Sequence, residues 1–256
     1  LGLPPLPEPE GQIPLEMMVC GWGDSYRSRA VLGDEVQVTR ILGANSLNDV
    51  YGVRGEVARA AGYRRGFLQY WLPYQAWACP TRADMATLMD EHFARGAAEL
   101  LAEDPEALWT AYRNKLWDEP GTSDLGHMAG CESCCAAFRT YLQEQGLSPQ
   151  DLGKASWDQV RLIPRDQATD LPSRKLHYWS IQFRDLTNAL LVREARLACE
   201  RHFGQGILTS VNFTDAPQSG WESAMVHGPD WFLYGRLKAT TMIWSEDWTA
   251  LGPEVC

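Results

Sequence analysis

Residues 107–121 read ALWTAYRNKLWDEPG: an apolar run, then an acidic pair, then a Pro-Gly break. Leu108, Trp109, Ala111 and Tyr112 suit a buried β-strand, being aromatic or aliphatic and closely spaced. Lys115 to Trp117 carry that strand to its end. Asp118 and Glu119 fall where the chain turns, and Pro120-Gly121 prevents any regular element from continuing. The stretch therefore predicts a strand with a carboxylate, Glu119, at its C-terminal tip.

The rest of the chain supplies the context for that strand. Short apolar runs closed by glycine, asparagine or proline recur at Met17–Gly23, Asn45–Tyr51, Gly66–Leu72, Gly206–Phe213 and Ala239–Trp244. Between them lie segments with helical spacing: 34–42, 54–61, 82–103 with Thr81 as N-cap, 131–145, a long one over 173–202, and 229–237. Strands alternating with helices imply a parallel sheet. No Gly-rich phosphate loop follows the first strand, so an open dinucleotide-binding sheet is disfavoured. The expected fold is α/β, a TIM (β/α)8-type barrel over residues 16–256 preceded by an extended lead-in over 1–15. In such barrels catalytic carboxylates stand at the C-terminal ends of the strands, where Glu119 is placed. About six strands are countable before Cys256. Either two more hide in irregular stretches such as QVRLI (159–163), or the barrel is incomplete at its C-terminal side.

Bulk properties narrow the function. With 33 acidic residues against 23 basic ones the formal charge is −10. That disfavours nucleic acid or an anionic membrane as the main partner. No apolar run approaches the roughly 18 residues of a membrane span. The opening LGLPPLPEPEGQIP lacks both Met and a signal-peptide pattern, as expected of a mature product or an excised piece. A soluble protein of the cytoplasm or the exterior fits, and the sequence leaves assembly into a homo-oligomer open. Eleven Trp and nine Tyr are many for 256 residues. Aromatic planes stack on sugar rings, although core packing accounts for most such residues in any domain. The seven cysteines do not form a disulfide-scaffold pattern, and three cluster at Cys131, Cys134 and Cys135.

Four motifs give the pattern a family likeness. WDEPG (117–121), CESCCAAFRTYL (131–142), SVNF (210–213) and DWFLYGRLKATTMIWSEDW (230–248) resemble, in order, segments of clan A glycoside hydrolases, nearest to the family 42 β-galactosidases. The resemblance implies hydrolysis of a glycosidic bond by a retaining, two-carboxylate mechanism that needs no catalytic cofactor. Glu119 then stands for the general acid/base, with Trp117 beside it to raise its pKa by desolvation. Glu246 stands for the opposing carboxylate, with Asp247 as second choice. Trp244 and Trp248 would form a sugar-binding rim, and Trp22, Asp24 and Asn212 would contact substrate from the ends of strands one and five. Asp118 departs from the family, which places Asn before the acid/base to bond the sugar 2-hydroxyl.

The family's nucleophile sits on strand seven. Glu246 fits that role only if a strand hides near 159–163; otherwise Ala239–Trp244 is strand six, a count that the long helix before SVNF favours. The resemblance also implies a structural zinc held by Cys131, Cys134 and, from the loop after strand three, Cys79, with His127 or Cys135 as a fourth ligand. Where the family has a further cysteine, this chain has Ala129. The rival to an enzyme is a carbohydrate-binding barrel without turnover. A metal-dependent hydrolase lacks a His pair with ligand spacing, and a serine hydrolase lacks its G-x-S-x-G elbow.

Overall fold

A computed structural model describes residues 18–19, 29–42, 46–48, 52–63, 66–117, 124–212 and 230–242. Five strands are present among them: β1 (Met18–Val19), β2 (Ser46–Asn48), β3 (Gly66–Leu68), β4 (Ala111–Trp117) and β5 (Leu208–Val211). They form one parallel sheet in the order β1-β2-β3-β4-β5. Every crossover moves to the next neighbour in the same direction, without the reversal that defines a doubly wound sheet. The sheet is open among the described residues, so the barrel expectation is met there only as an arc of sequentially ordered parallel strands.

The helices are α1 (Arg29–Ile41), α2 (Gly52–Ala60), α3 (Tyr74–Ala78), α4 (Met85–Glu103), α5 (Ala107–Thr110), α6 (Leu125–Gly130), α7 (Glu132–Glu144), α8 (Leu171–Phe203) and α9 (Trp231–Leu237). None of the described helices is long and apolar enough to cross a membrane. The main core lies between the sheet and helices α4, α8 and α9, with Leu68, Leu116 and Val211 meeting Met89, Phe93, Ala195, Cys199 and Tyr234. A second core gathers Met128, Cys134, Phe138, Leu142, Val160, Leu162, Leu176 and Phe183. Helix α8 serves both: its first half packs in the second core and its second half in the first. At 33 residues it runs about 50 Å. It carries no Gly or Pro between Ser173 and Phe203, opens on a capping box of Asp170 with Ser173, and stops at Gly204.

Three expectations are corrected, and one open alternative, the strand near 159–163, is not formed. Residues 107–110 form a helical turn rather than the start of β4. Pro105 favours a turn, the Asp104 carboxylate accepts from the Glu106 N–H at 3.0 Å, and the Asp104 carbonyl accepts from the Ala107 N–H at 2.9 Å. Thr81 does not cap α4, which begins after Asp84. Residues 160–163 form no strand, because Val160 and Leu162 are buried against helices in the second core. Residues 239–242 are likewise not a strand, although the N–H groups of Thr241 and Met242 both donate to the Thr209 carbonyl on β5.

One expectation is met in an altered form. The stretch 66–72 follows β4 along its length, but ladder pairing stops at Leu68. Asn114 bridges the gap: its Oδ1 accepts from the Tyr70 N–H at 2.8 Å and its Nδ2 donates to the Tyr70 carbonyl at 3.0 Å. Backbone contact resumes where the Leu72 N–H donates to the Leu116 carbonyl.

Candidate functional site

The C-terminal end of β4 is defined by Trp117. Alternation along the strand turns Asn114 and Leu116 towards α8 and the main core, and Arg113 and Lys115 to the opposite face, where both are buried. Lys115 pairs in register with buried Ser210 of β5. Asn212, expected to contact substrate, is fully buried beside the strand tip, and its N–H donates to the Trp117 carbonyl at 3.1 Å. Asp118 and Glu119 follow Trp117 directly but lie outside the described residues, as do Trp22, Asp24, Trp244, Glu246, Asp247 and Trp248.

An aromatic cluster surrounds the strand tip. Trp117 stacks at a tilt against Trp71, with ring centres 5.4 Å apart, and against Trp77, 5.7 Å apart. Trp77 is buried, whereas Trp71 is exposed on one side and neighbouring Tyr74 is largely exposed. The sequence reading gave these two tryptophans no role. The available signal was Pro73, which ends the extended run and begins the short α3 that returns Trp77 to β4.

A second constellation lies next to this loop. Cys79, Cys131 and Cys134 place their sulfurs within 4.8 Å of one another, with Cys79 Sγ 3.5 Å from Cys131 Sγ and 3.9 Å from Cys134 Sγ. Cys79 leaves α3, while Cys131 and Cys134 open α7, so the cluster ties the chain after β3 to the chain after β4. Burial pushes the Cys134 thiol well up, and the neighbouring sulfurs add to that; a hydrogen bond from Thr81 opposes it. Burial also raises Cys131, but N–H groups of Cys134 and Ser133 and bonds from the neighbouring thiols outweigh it and leave this thiol below its usual range.

The donor set suits part of a thiolate metal site. Sulfurs about 2.3 Å from a tetrahedral zinc stand about 3.8 Å apart, close to the two separations seen. Among the described residues a fourth sulfur does not join them. Cys135 turns away, its thiol donating to the carbonyls of Ala129 and Met128, and His127 does not join the group of three. At residue 129 the alanine offers only its backbone carbonyl, which accepts from the Arg161 guanidinium at 3.0 and 3.1 Å. His177, in α8, packs with its Nδ1 3.0 Å from the Ile163 carbonyl.

The sequence matches no protein-family model, and no curated protein matches it. The fold is similar to that of a solved structure, the β-galactosidase from the psychrophilic Marinomonas ef1. The TM-score is 0.58 over 92% of this chain at 9% sequence identity. The chain spans 41% of that protein's length. The likeness is one of fold alone.

Proposed function

We propose that this chain forms the strand-one to strand-six part of a TIM-barrel glycoside hydrolase of the family 42 β-galactosidase kind, with Glu119 as its general acid/base. The observation that carries the reading is the position of Trp117. It ends the fourth of five sequentially ordered parallel strands in a fold similar to a β-galactosidase's, which puts Glu119 two residues beyond the tip of strand four. A carboxylic acid that came to lie beside the indole rings at that tip would be disfavoured in its charged form. In this role Glu119 would give its proton to the glycosidic oxygen as the bond breaks. Trp71, Tyr74 and the proposed Trp22, Trp244 and Trp248 offer planes for sugar rings. Asp24, Asp118 and Asp247 are the proposed hydrogen-bonding groups for the sugar, while Asn212 is buried beside the strand tip.

Glu246 is proposed as the carboxylate opposing Glu119. It follows the segment that reaches β5 through Thr241 and Met242, which is the sixth unit, whereas the family's nucleophile belongs to the seventh. That count favours a second reading, in which Glu246 and Asp118 hold a saccharide and this stretch of chain does not turn it over. In both readings the cysteine trio is a structural zinc site. Zinc would supply the positive charge that keeps three thiolates together, and Cys79, Cys131 and Cys134 would clamp the loops on either side of the strand-four tip.

The test is turnover of aryl β-galactosides by the protein and by Glu119→Gln and Glu246→Gln. Loss of the acid/base lowers the rate about 10²- to 10⁴-fold. The loss is larger for poor leaving groups than for activated ones, because only the former need the proton. Equal turnover by Glu119→Gln refutes the acid/base assignment. Saccharide binding without turnover by the unmodified chain selects the second reading.

A further inference from the structure

Among the described residues the three-sulfur cluster has no fourth sulfur, and the structure brings a different donor to it. We infer that Thr81 supplies the fourth position, making this a three-thiolate, one-oxygen metal site rather than a four-thiolate one. The inference rests on the trio being a metal site and is independent of the glycosidase reading.

Thr81 Oγ1 stands 3.3 Å from Cys134 Sγ and 3.9 Å from Cys79 Sγ. In a tetrahedral zinc site, an oxygen and a sulfur at their usual bond lengths are about 3.5 Å apart. The hydroxyl is therefore placed as a fourth vertex relative to two of the three sulfurs. Its position is fixed: Thr81 is two residues beyond Cys79, and its carbonyl accepts from the Ser133 hydroxyl at 3.2 Å. With the thiols protonated, the Thr81 hydroxyl donates to Cys134. When a cation displaces those protons, the same hydroxyl can turn its oxygen inward and give its proton to Ser133 Oγ, 3.4 Å away. Cys135 and Ala129 are excluded by the contacts they already make. An oxygen ligand binds zinc less firmly than a thiolate, so the metal at this site exchanges more readily than in a closed four-sulfur cage.

The test is cobalt(II) titration of the full chain, reduced and stripped of metal by a chelator, followed by competition with zinc against a chromophoric chelator. The unmodified chain is expected to show thiolate-to-cobalt charge transfer with the visible bands of four-coordinate cobalt. Thr81→Ser should retain both spectrum and affinity. Thr81→Ala should weaken zinc about 10-fold or more and alter the visible bands. Thr81→Cys should raise the charge-transfer intensity by about a third, the addition of a fourth thiolate to three, and tighten zinc. A Thr81→Ala protein with unchanged spectrum and affinity overturns the role of Thr81. So does a gain of charge transfer in Ala129→Cys but not in Thr81→Cys. An unmodified chain that takes up no cobalt overturns the metal site itself.

Discussion

Asp185 lies in the middle of α8, buried where that helix meets α9, and burial pushes its carboxyl from 3.8 up to about 6. The groups facing it are Arg184, whose Nη2 stands 3.0 Å away, Asp230 at the N-cap of α9, and Tyr234 within α9. Arg184 lowers the carboxyl and Asp230 raises it, but desolvation is the largest influence. Asp185→Asn removes the titration while keeping shape and hydrogen-bonding capacity. Because the native carboxyl holds its proton to a higher pH than the unfolded one, its contribution to stability is full below about pH 4 and is lost as pH rises through about 6. A displacement from 3.8 to about 6 corresponds to about 3 kcal/mol in all, of which about 2 kcal/mol falls between about pH 4.5 and 7.5. Urea unfolding of both proteins at those two pH values measures it. Whatever constant difference the substitution introduces through Arg184, the unmodified protein should lose about 2 kcal/mol relative to Asp185→Asn on going to the higher pH. A gap that stays constant, or that moves the other way, refutes the reasoning.

Further predictions concern the seam between β3, α4 and β4. Asn114→Ala leaves both backbone groups of Tyr70 without their side-chain partner in a buried seam, and should cost about 2–4 kcal/mol in urea unfolding. Gly96→Ala on α4 would place a Cβ 2.1 Å from Tyr70 Cζ, and that ring is boxed in by His92, Phe93 and Phe203. Overpacking then outweighs the gain in helix propensity of about 1 kcal/mol, for a net loss of about 1–2 kcal/mol in thermal or urea unfolding. In a Tyr70→Ala background the same substitution should become neutral or stabilising, since the obstructing ring is gone.

Much of the frame was legible because its signals are local. Trp117 followed by Asp118, Glu119, Pro120 and Gly121 marks the end of β4, and the strand does end there. The long run without Gly or Pro before Gly204 reads as a helix and is one. Cys79, Cys131 and Cys134 were grouped through a family pattern, and their sulfurs do meet. What stayed hidden depends on partners distant in sequence. Asn114 reads as one more polar residue in a strand, and nothing nearby shows that its amide replaces a stretch of ladder to Tyr70, 44 residues earlier. Thr81 has the local signature of a helix cap, yet its hydroxyl meets Cys134 and Ser133, more than 50 residues later. Asp104 has an equally local effect, but its turn competes with an apolar run that favours a strand, and the turn prevails at 107–110.

The strand count shows how such long-range facts bear on chemistry. QVRLI has the apolar alternation of a half-buried strand, so periodicity alone permits a strand between β4 and β5. Its apolar residues are buried, but the surface they pack on belongs to helices. Meanwhile β5 pairs directly with β4 through Leu208, Thr209, Ser210 and Val211. With no strand inserted, the chain returning from α9 meets β5 at Thr209 as the sixth unit. Glu246 lies four residues beyond Met242, the last described residue of that return. A carboxylate there is one unit short of the family's nucleophile position, whereas Glu119 retains its place after strand four under either count. The proposed acid/base role of Glu119 is therefore independent of the count, whereas the role proposed for Glu246 depends on it.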